Sequence, residues 1–205
     1  RKPRLKNPYF IVAWPGMGEV AFKAASFLID KLKAEEFAEI PAHEFFYLTE
    51  SVVNNGILSL PEMPFNKFYF VKPKDAKNDL LIFLSDAQPD LTKAEEYCNS
   101  IIALAIKYKV KSVISFAAIP QPVDHSQQPG VWFTSTSRQM NDQLKKLDIQ
   151  PLTEGQISGL NGLFLGMAKR AGFDGFCLLG ETPLYTIQIE NPKASFVVLD
   201  VLKKI

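Results

Sequence analysis

The residues equipped for chemistry gather in a few short loops. The first loop, "AWPGMGEVAF", runs from Ala13 to Phe22. In it, Gly16, Gly18 and Ala21 satisfy the glycine-x-glycine-x-x-alanine form of the dinucleotide-binding turn. Glycine there lets backbone approach a pyrophosphate, and the start of the following helix attracts the anion. Two residues oppose that chemistry. Pro15 separates the strand from the first glycine and changes the turn. Glu19 favours the helix dipole by about 0.5 kcal/mol, but it repels phosphate at the same spot. Glu39 stands near the distance expected of a ribose-binding acid, yet Pro41 disturbs that unit. A structural corner is the leading reading of this loop; an anion and a dinucleotide are the alternatives.

Other loops carry further candidates. "GQISGLNG" offers Gly155, Gly159 and Gly162 as an anion cradle, but no Gly-Lys-Ser/Thr follows. Close packing of a helix on a strand is the favoured role for these glycines. "SDAQPD" sets Asp86 and Gln88 at a strand end, with Asp90 behind Pro89. Carboxylates there suit a metal, a ribose or a partner, or they cap the turn and the next helix. "LGETP" adds Glu181, and Glu154 precedes Gly155. Asp86, Glu154 and Glu181 would make a carboxylate cluster if the fold brought them together. Hydrolase chemistry is poorly supported. His43 and His125 are the only histidines, and "QISGL" is not the Gly-x-Ser-x-Gly elbow. Asp124 beside His125 is a suggestive pair in a loop. Zinc lacks ligands for the same reason, so no metal and no cofactor is expected.

These loops need elements to place them. "PYFIVAW" is a continuous apolar run, the mark of a strand covered on both faces. Val20, Ala24, Phe27, Leu28 and Leu32 then fall at helical spacing. Residues 37–72 alternate in short pieces broken by Pro41, Pro61 and Pro64, a β-rich insert. Asn54-Asn55-Gly56 between β-branched runs marks a hairpin. "DLLIFL" restores a buried strand, and Thr92 with Glu95 suggests a capping box for the next helix. "SVISFAAI" and "VWFTST" read as strands around a proline-rich loop. "SRQMNDQLKKL" is an amphipathic helix. "GLNGLFLGMAKRAG" is a helix stopped by Gly172, "FDGFCLLGETP" is a strand, and Pro192 opens a last helix.

The order of elements implies one α/β domain over residues 1–205, with a mixed, largely parallel sheet and helices on both faces. Ligands of such sheets collect beyond the carboxyl ends of the strands. Gly16, Gly18, Asp86, Gln88, Glu154, Gly155 and Glu181 should therefore share one rim, the candidate surface for a ligand or a partner.

Composition narrows the classes. The chain has 205 residues and a net charge of +1, with a basic cluster only in the opening "RKPRLK", read as a solvated tail. Nucleic-acid binding is not expected, because no basic stripe interleaves with aromatics. No apolar run reaches the ~18 residues of a membrane span, and the opening residues lack the apolar core of a signal peptide. Cys98 and Cys177 lie far apart in apolar surroundings and read as reduced core residues. A cytoplasmic location follows from that reading.

Taken together, "WPGMGEVAFKAASFLIDKLKAEEFAEI", "DLLIFLSDAQPD", "TEGQISGLNGLFLGMAKRAGFDGFCLLGETP" and "PKASFVVLDVLKKI" stand in an order that resembles the proteasome assembly chaperone 2 family. The resemblance spans nearly the whole chain. It implies a nucleoside-phosphorylase-like α/β fold, no established catalytic residues, a tendency to form homo-oligomers, and protein partners of the proteasome-subunit kind where the host has them. The hydrophobic-Tyr-x tail by which archaeal relatives dock is not matched by the final "LKKI". The leading expectation is a non-catalytic, self-associating, assembly-chaperone-like protein. The alternative is a protein or enzyme that binds a nucleoside or phosphate with the rim loops.

Overall fold

The computed structural model describes residues 2–74 and 76–205, so Arg1 of the basic start lies outside the described residues. Among the described residues there are ten strands: β1 (Tyr9–Ala13), β2 (Glu35–Glu39), β3 (Val52–Asn54), β4 (Ile57–Ser59), β5 (Asn66–Val71), β6 (Leu80–Ser85), β7 (Ser112–Gln121), β8 (Val131–Ser135), β9 (Gln150–Pro151) and β10 (Gly175–Pro183). The α-helices are α1 (Val20–Leu32), α2 (Ala94–Lys107), α3 (Arg138–Leu144), α4 (Leu160–Arg170) and α5 (Pro192–Leu202).

The most apolar runs become the inner strands, as burial on both faces requires. Eight strands form one sheet in the order β2-β5-β6-β1-β7-β10-β8-β9. β1 runs parallel to β6 and β7, and β7 parallel to β10. The flanking β5 and β8 are antiparallel to β6 and β10. The fold is thus a single α/β domain with a mixed, mostly parallel sheet and helices on both faces. β3 and β4 form a separate two-stranded hairpin. Its turn places Asn55 and Gly56 at φ of 51° and 79°, the two positive values a type I′ turn requires.

Alternate residues of each inner strand feed two cores. Phe10, Val12 and Trp14 of β1 and its extension pack with α2 and α4, against Phe83, Tyr97 and Phe164. Ile11 and Ala13 pack with α1, α3 and α5, against Phe116, Phe176 and Val198. Aromatic rings dominate the first core, with Phe68 and Phe83 centroids 4.7 Å apart and Trp14 and Phe83 5.4 Å apart. Small residues let α4 come close. A Cβ on Gly162 would lie 2.2 Å from the Ile157 carbonyl oxygen, so this glycine serves close packing of the preceding loop on the helix rather than of the helix on a strand.

Side chains cap α3 and α5 but not α1, α2 or α4. Thr92 is not the cap of α2. The Asp90 carboxylate accepts from the Thr92 amide at 2.8 Å and from its hydroxyl, opening a short 3-10 turn at Leu91–Lys93 that runs into α2. Pro89 holds Asp90 outside the helix, which leaves its carboxylate free to fold over the first amides. α5 is capped by Asn191, whose side-chain oxygen accepts from the Ala194 amide at 3.0 Å, with Pro192 in the first turn.

Candidate functional site

Because β6, β1, β7 and β10 are parallel, the loops that leave their carboxyl ends share one rim. The residues 40–65 excursion emerges there too, since Asn66 at the start of β5 pairs with Ser85 at the end of β6. The rim is therefore built of the four strand-end loops together with this excursion, which the sequence reading did not place there.

The opening loop is a stitched corner. Gly16 has extended backbone, whereas Gly18 sits at φ 60°, the left-handed region that favours glycine. The Gly18 amide donates to the Ile187 carbonyl at 3.2 Å, and the Asn191 amide donates to the Gly18 carbonyl at 2.8 Å. The Gly18 amide, one that a pyrophosphate could use, is thus committed to the segment before α5, and the Glu19 amide donates to the Gly16 carbonyl at 2.9 Å. Glu19 lies at the same corner, with its carboxyl pushed above the ordinary value, chiefly by burial and further by Glu190, while Lys23 opposes the shift. Lys23 itself pairs with Glu190 at 2.8 Å. An acidic corner with its Gly18 and Glu19 amides tied is unfavourable to an anion.

Gln88 and Asn161 hold the loops to one another. The Gln88 side-chain amide donates to the Pro15 carbonyl at 2.8 Å, and its oxygen accepts from the Leu160 amide at 3.3 Å. Gln88 therefore links the β1 loop to the start of α4. Buried Asn161 accepts from the Trp14 amide at 3.0 Å and donates to the Trp14 carbonyl at 3.1 Å. Behind them runs a buried polar chain. The Trp14 indole donates to the Tyr97 hydroxyl at 3.2 Å, which donates to Asn66 Oδ1 at 2.5 Å. Burial raises the Tyr97 phenol far above its usual range, so it acts as a neutral link in this chain. Asn161, Trp14, Tyr97 and Asn66 were not candidates from sequence. A polar Asn161 on the apolar face of a helix is the signal that could have found the first of them.

The three carboxylates do not meet. Asp86 accepts from the Phe65 amide at 2.8 Å and fixes the return of the excursion into the sheet. Glu181 accepts from the Gly130 amide and from the Trp132 indole, both at 2.8 Å. Three strand steps separate the ends of β6 and β10, about 14 Å at the usual spacing of roughly 4.8 Å. Glu154 is exposed in the loop before α4. Among the described residues no group of three or more His, Cys, Asp or Glu could hold a metal. Asp124 and His125 do not build a nucleophile site either. The His125 imidazole lies 2.8 Å from the Tyr185 hydroxyl, and the Asp124 carboxylate accepts from the Ser126 amide.

Between the β1 loop, the end of β7 and the loop before α4 lies a cavity of about 540 Å³. Met17, Ile119, Pro120, Leu152 and Ile157 supply its apolar wall. Gly16, Gln88 and Gly155 of the candidate set also line it, whereas Gly18, Asp86, Glu154 and Glu181 do not. None of its lining residues is charged, so it favours a neutral or apolar occupant. Around it the rim is unusually apolar. Tyr47, Leu48, Leu91, Leu184, Tyr185 and Ile189 are all exposed. The rim therefore offers contact surface, while its polar groups mostly hold the loops in place.

Comparison with known proteins agrees with this architecture. The chain is similar to Pyrococcus furiosus PbaB, an archaeal proteasome activator, with a TM-score of 0.83 and 27% identity over 100% of this chain and 85% of that one. It is also similar to Pyrococcus furiosus PbaA, an archaeal homolog of proteasome-assembly chaperone, with a TM-score of 0.77 and 29% identity over 98% of this chain and 82% of that one. An uncharacterized protein of Methanocaldococcus jannaschii is 30% identical over 96% of this chain and 72% of its own length. The PAC2 family model matches residues 10–205. The chain belongs to the PAC2 family.

Proposed function

We propose that this protein is a non-catalytic, self-associating binding protein of the assembly-chaperone type, and that it engages protein partners through the rim at the carboxyl ends of its parallel strands. The observation that carries this reading is the contrast at the rim itself. Gln88, Asn161, Asp86 and Glu181 are occupied by hydrogen bonds that fix loops, while large apolar side chains of the same rim face solvent. Exposed apolar patches of this kind mark interaction sites. Family membership, with PbaB a proteasome activator and PbaA a homolog of proteasome-assembly chaperone, supports proteasome subunits as the partner class. The buried free thiols of Cys98 and Cys177 fit a reducing, cytoplasmic setting.

Light scattering behind a sizing column, followed by capture of purified proteasome α-subunits, tests the proposal. A mass that is a whole multiple of one chain, with α-subunits retained, is the expected result. A single-chain mass at high micromolar concentration, with no α-subunit retained, overturns it.

A further inference from the structure

The β3–β4 hairpin is the least explained part of the molecule. Every one of its strand residues is exposed, although Val52, Val53, Ile57 and Leu58 are large and apolar. Cross-strand pairing of Val53 with Leu58 puts those two on one face, and alternation adds Leu60 to it. Their exposures are 59%, 68% and 70%. An isolated two-stranded hairpin is marginal in water, and both outer edges of this one are unpaired. It therefore needs a cover that its own chain does not supply.

The chemistry of the cover is constrained. The stretch Ser51–Leu60, "SVVNNGILSL", contains no charged residue. An anionic surface such as nucleic acid would demand basic side chains here. Eight large apolar side chains are exposed between Tyr47 and Met63. Of these, Val53, Leu58 and Leu60 share one face and present roughly 400 Å², within the range of the largest patch of a typical monomer and about half of the roughly 800 Å² that each partner buries in a stable interface. A surface with matching properties exists on the same molecule. The rim cavity is uncharged, walled by Met17, Ile119, Leu152 and Ile157, and large enough at about 540 Å³ for apolar side chains.

We propose that the Val53–Leu58–Leu60 face of the hairpin docks into the rim cavity of a second copy of this chain. The proposal rests on the self-association inferred above and names its contact. Arm and receptor are different patches, so the contact is heterologous and closes into a ring when the rotation allows. The tip Asn54-Asn55-Gly56 can meet the polar groups of Gln156 and Ser158 at the cavity mouth while the apolar residues enter.

Crosslinking tests it. Leu58→Cys copies are co-expressed with tagged Gln156→Cys copies, or with Met17→Cys copies, and treated with a short bismaleimide. Native Cys98 and Cys177 are fully buried, with thiols pushed up to about 12 by burial, so they stay silent. The expected result is a covalent dimer that forms only when both variants are present, together with loss of the oligomer in Leu58→Asp at unchanged circular dichroism. Dimers formed by Leu58→Cys copies alone would show hairpin pairing with hairpin and overturn the docking. An intact oligomer with no crosslink at either cavity position would also overturn it, while leaving self-association standing. A single-chain mass before any crosslinking would remove both.

Discussion

The start of α4 and the β3–β4 hairpin lie on the same rim and are built in opposite ways. At the start of α4, the polar groups of Asn161 and Gln88 have structural duties. Asn161 clasps both backbone groups of Trp14, Gln88 bridges Pro15 to Leu160, and Gly162 lets Ile157 pack against the helix. At the hairpin, apolar side chains face solvent with no duty inside the chain. The difference teaches where to look for function. Polar residues near strand ends invite a catalytic reading, but Gln88, Asn161, Asp86 and Glu181 are engaged in hydrogen bonds that fix loops, and the proposed partner surface is the apolar one.

The sharpest way to break this contrast is Asn161→Leu. It leaves the Trp14 amide and carbonyl buried without partners, at roughly 1–3 kcal/mol each. Urea denaturation should show a loss of about 2–6 kcal/mol; a change under about 0.5 kcal/mol would mean the clasp is dispensable. Gly162→Ala comes next. Its Cβ meets a carbonyl oxygen rather than a yielding side chain, so overpacking should cost about 1–3 kcal/mol in the same titration. Glu181→Gln leaves one oxygen for two donors, the Gly130 amide and the Trp132 indole. A loss of about 1 kcal/mol and an altered Trp132 fluorescence are expected.

The smallest effect concerns Glu19. Burial raises its folded-state pKa above the ordinary 4.5, so the folded chain holds this proton more tightly than the unfolded one. Its contribution to stability is present below the unfolded value and is lost as pH rises through the folded value. Glu19→Gln should therefore raise the melting temperature slightly at pH 7, and the gain should fade as pH falls towards 4.5. A gain that is the same at both pH values would assign the effect to something other than this carboxyl.

Much of this was legible in the residues. Continuous apolar runs such as "LLIFLS" can only be strands buried on both faces, and their parallel alignment sends their loops to one rim. The Asn-Gly turn announced the hairpin. Four things were not legible. β9, two residues long, is an edge bridge with no periodicity to read. The carboxylate cluster depended on strand order, which spacing along the chain does not encode: β6 and β10 are separated by β1 and β7. Val53 and Leu58 resemble core residues by type, and only the three-dimensional arrangement reveals that nothing among the described residues buries them. Asp90 displaced Thr92 as the cap because Pro89 fixes the chain one step earlier.

Light scattering of the native chain beside Leu58→Asp tests the central claim most directly. The substitution sits at a 68% exposed position, so it should leave the folded chain itself within about 0.5 kcal/mol of native stability. The account predicts a multiple of the chain mass for the native protein and the mass of one folded chain for the variant. A native protein that is itself a single chain, or a variant that keeps the native mass, would contradict it.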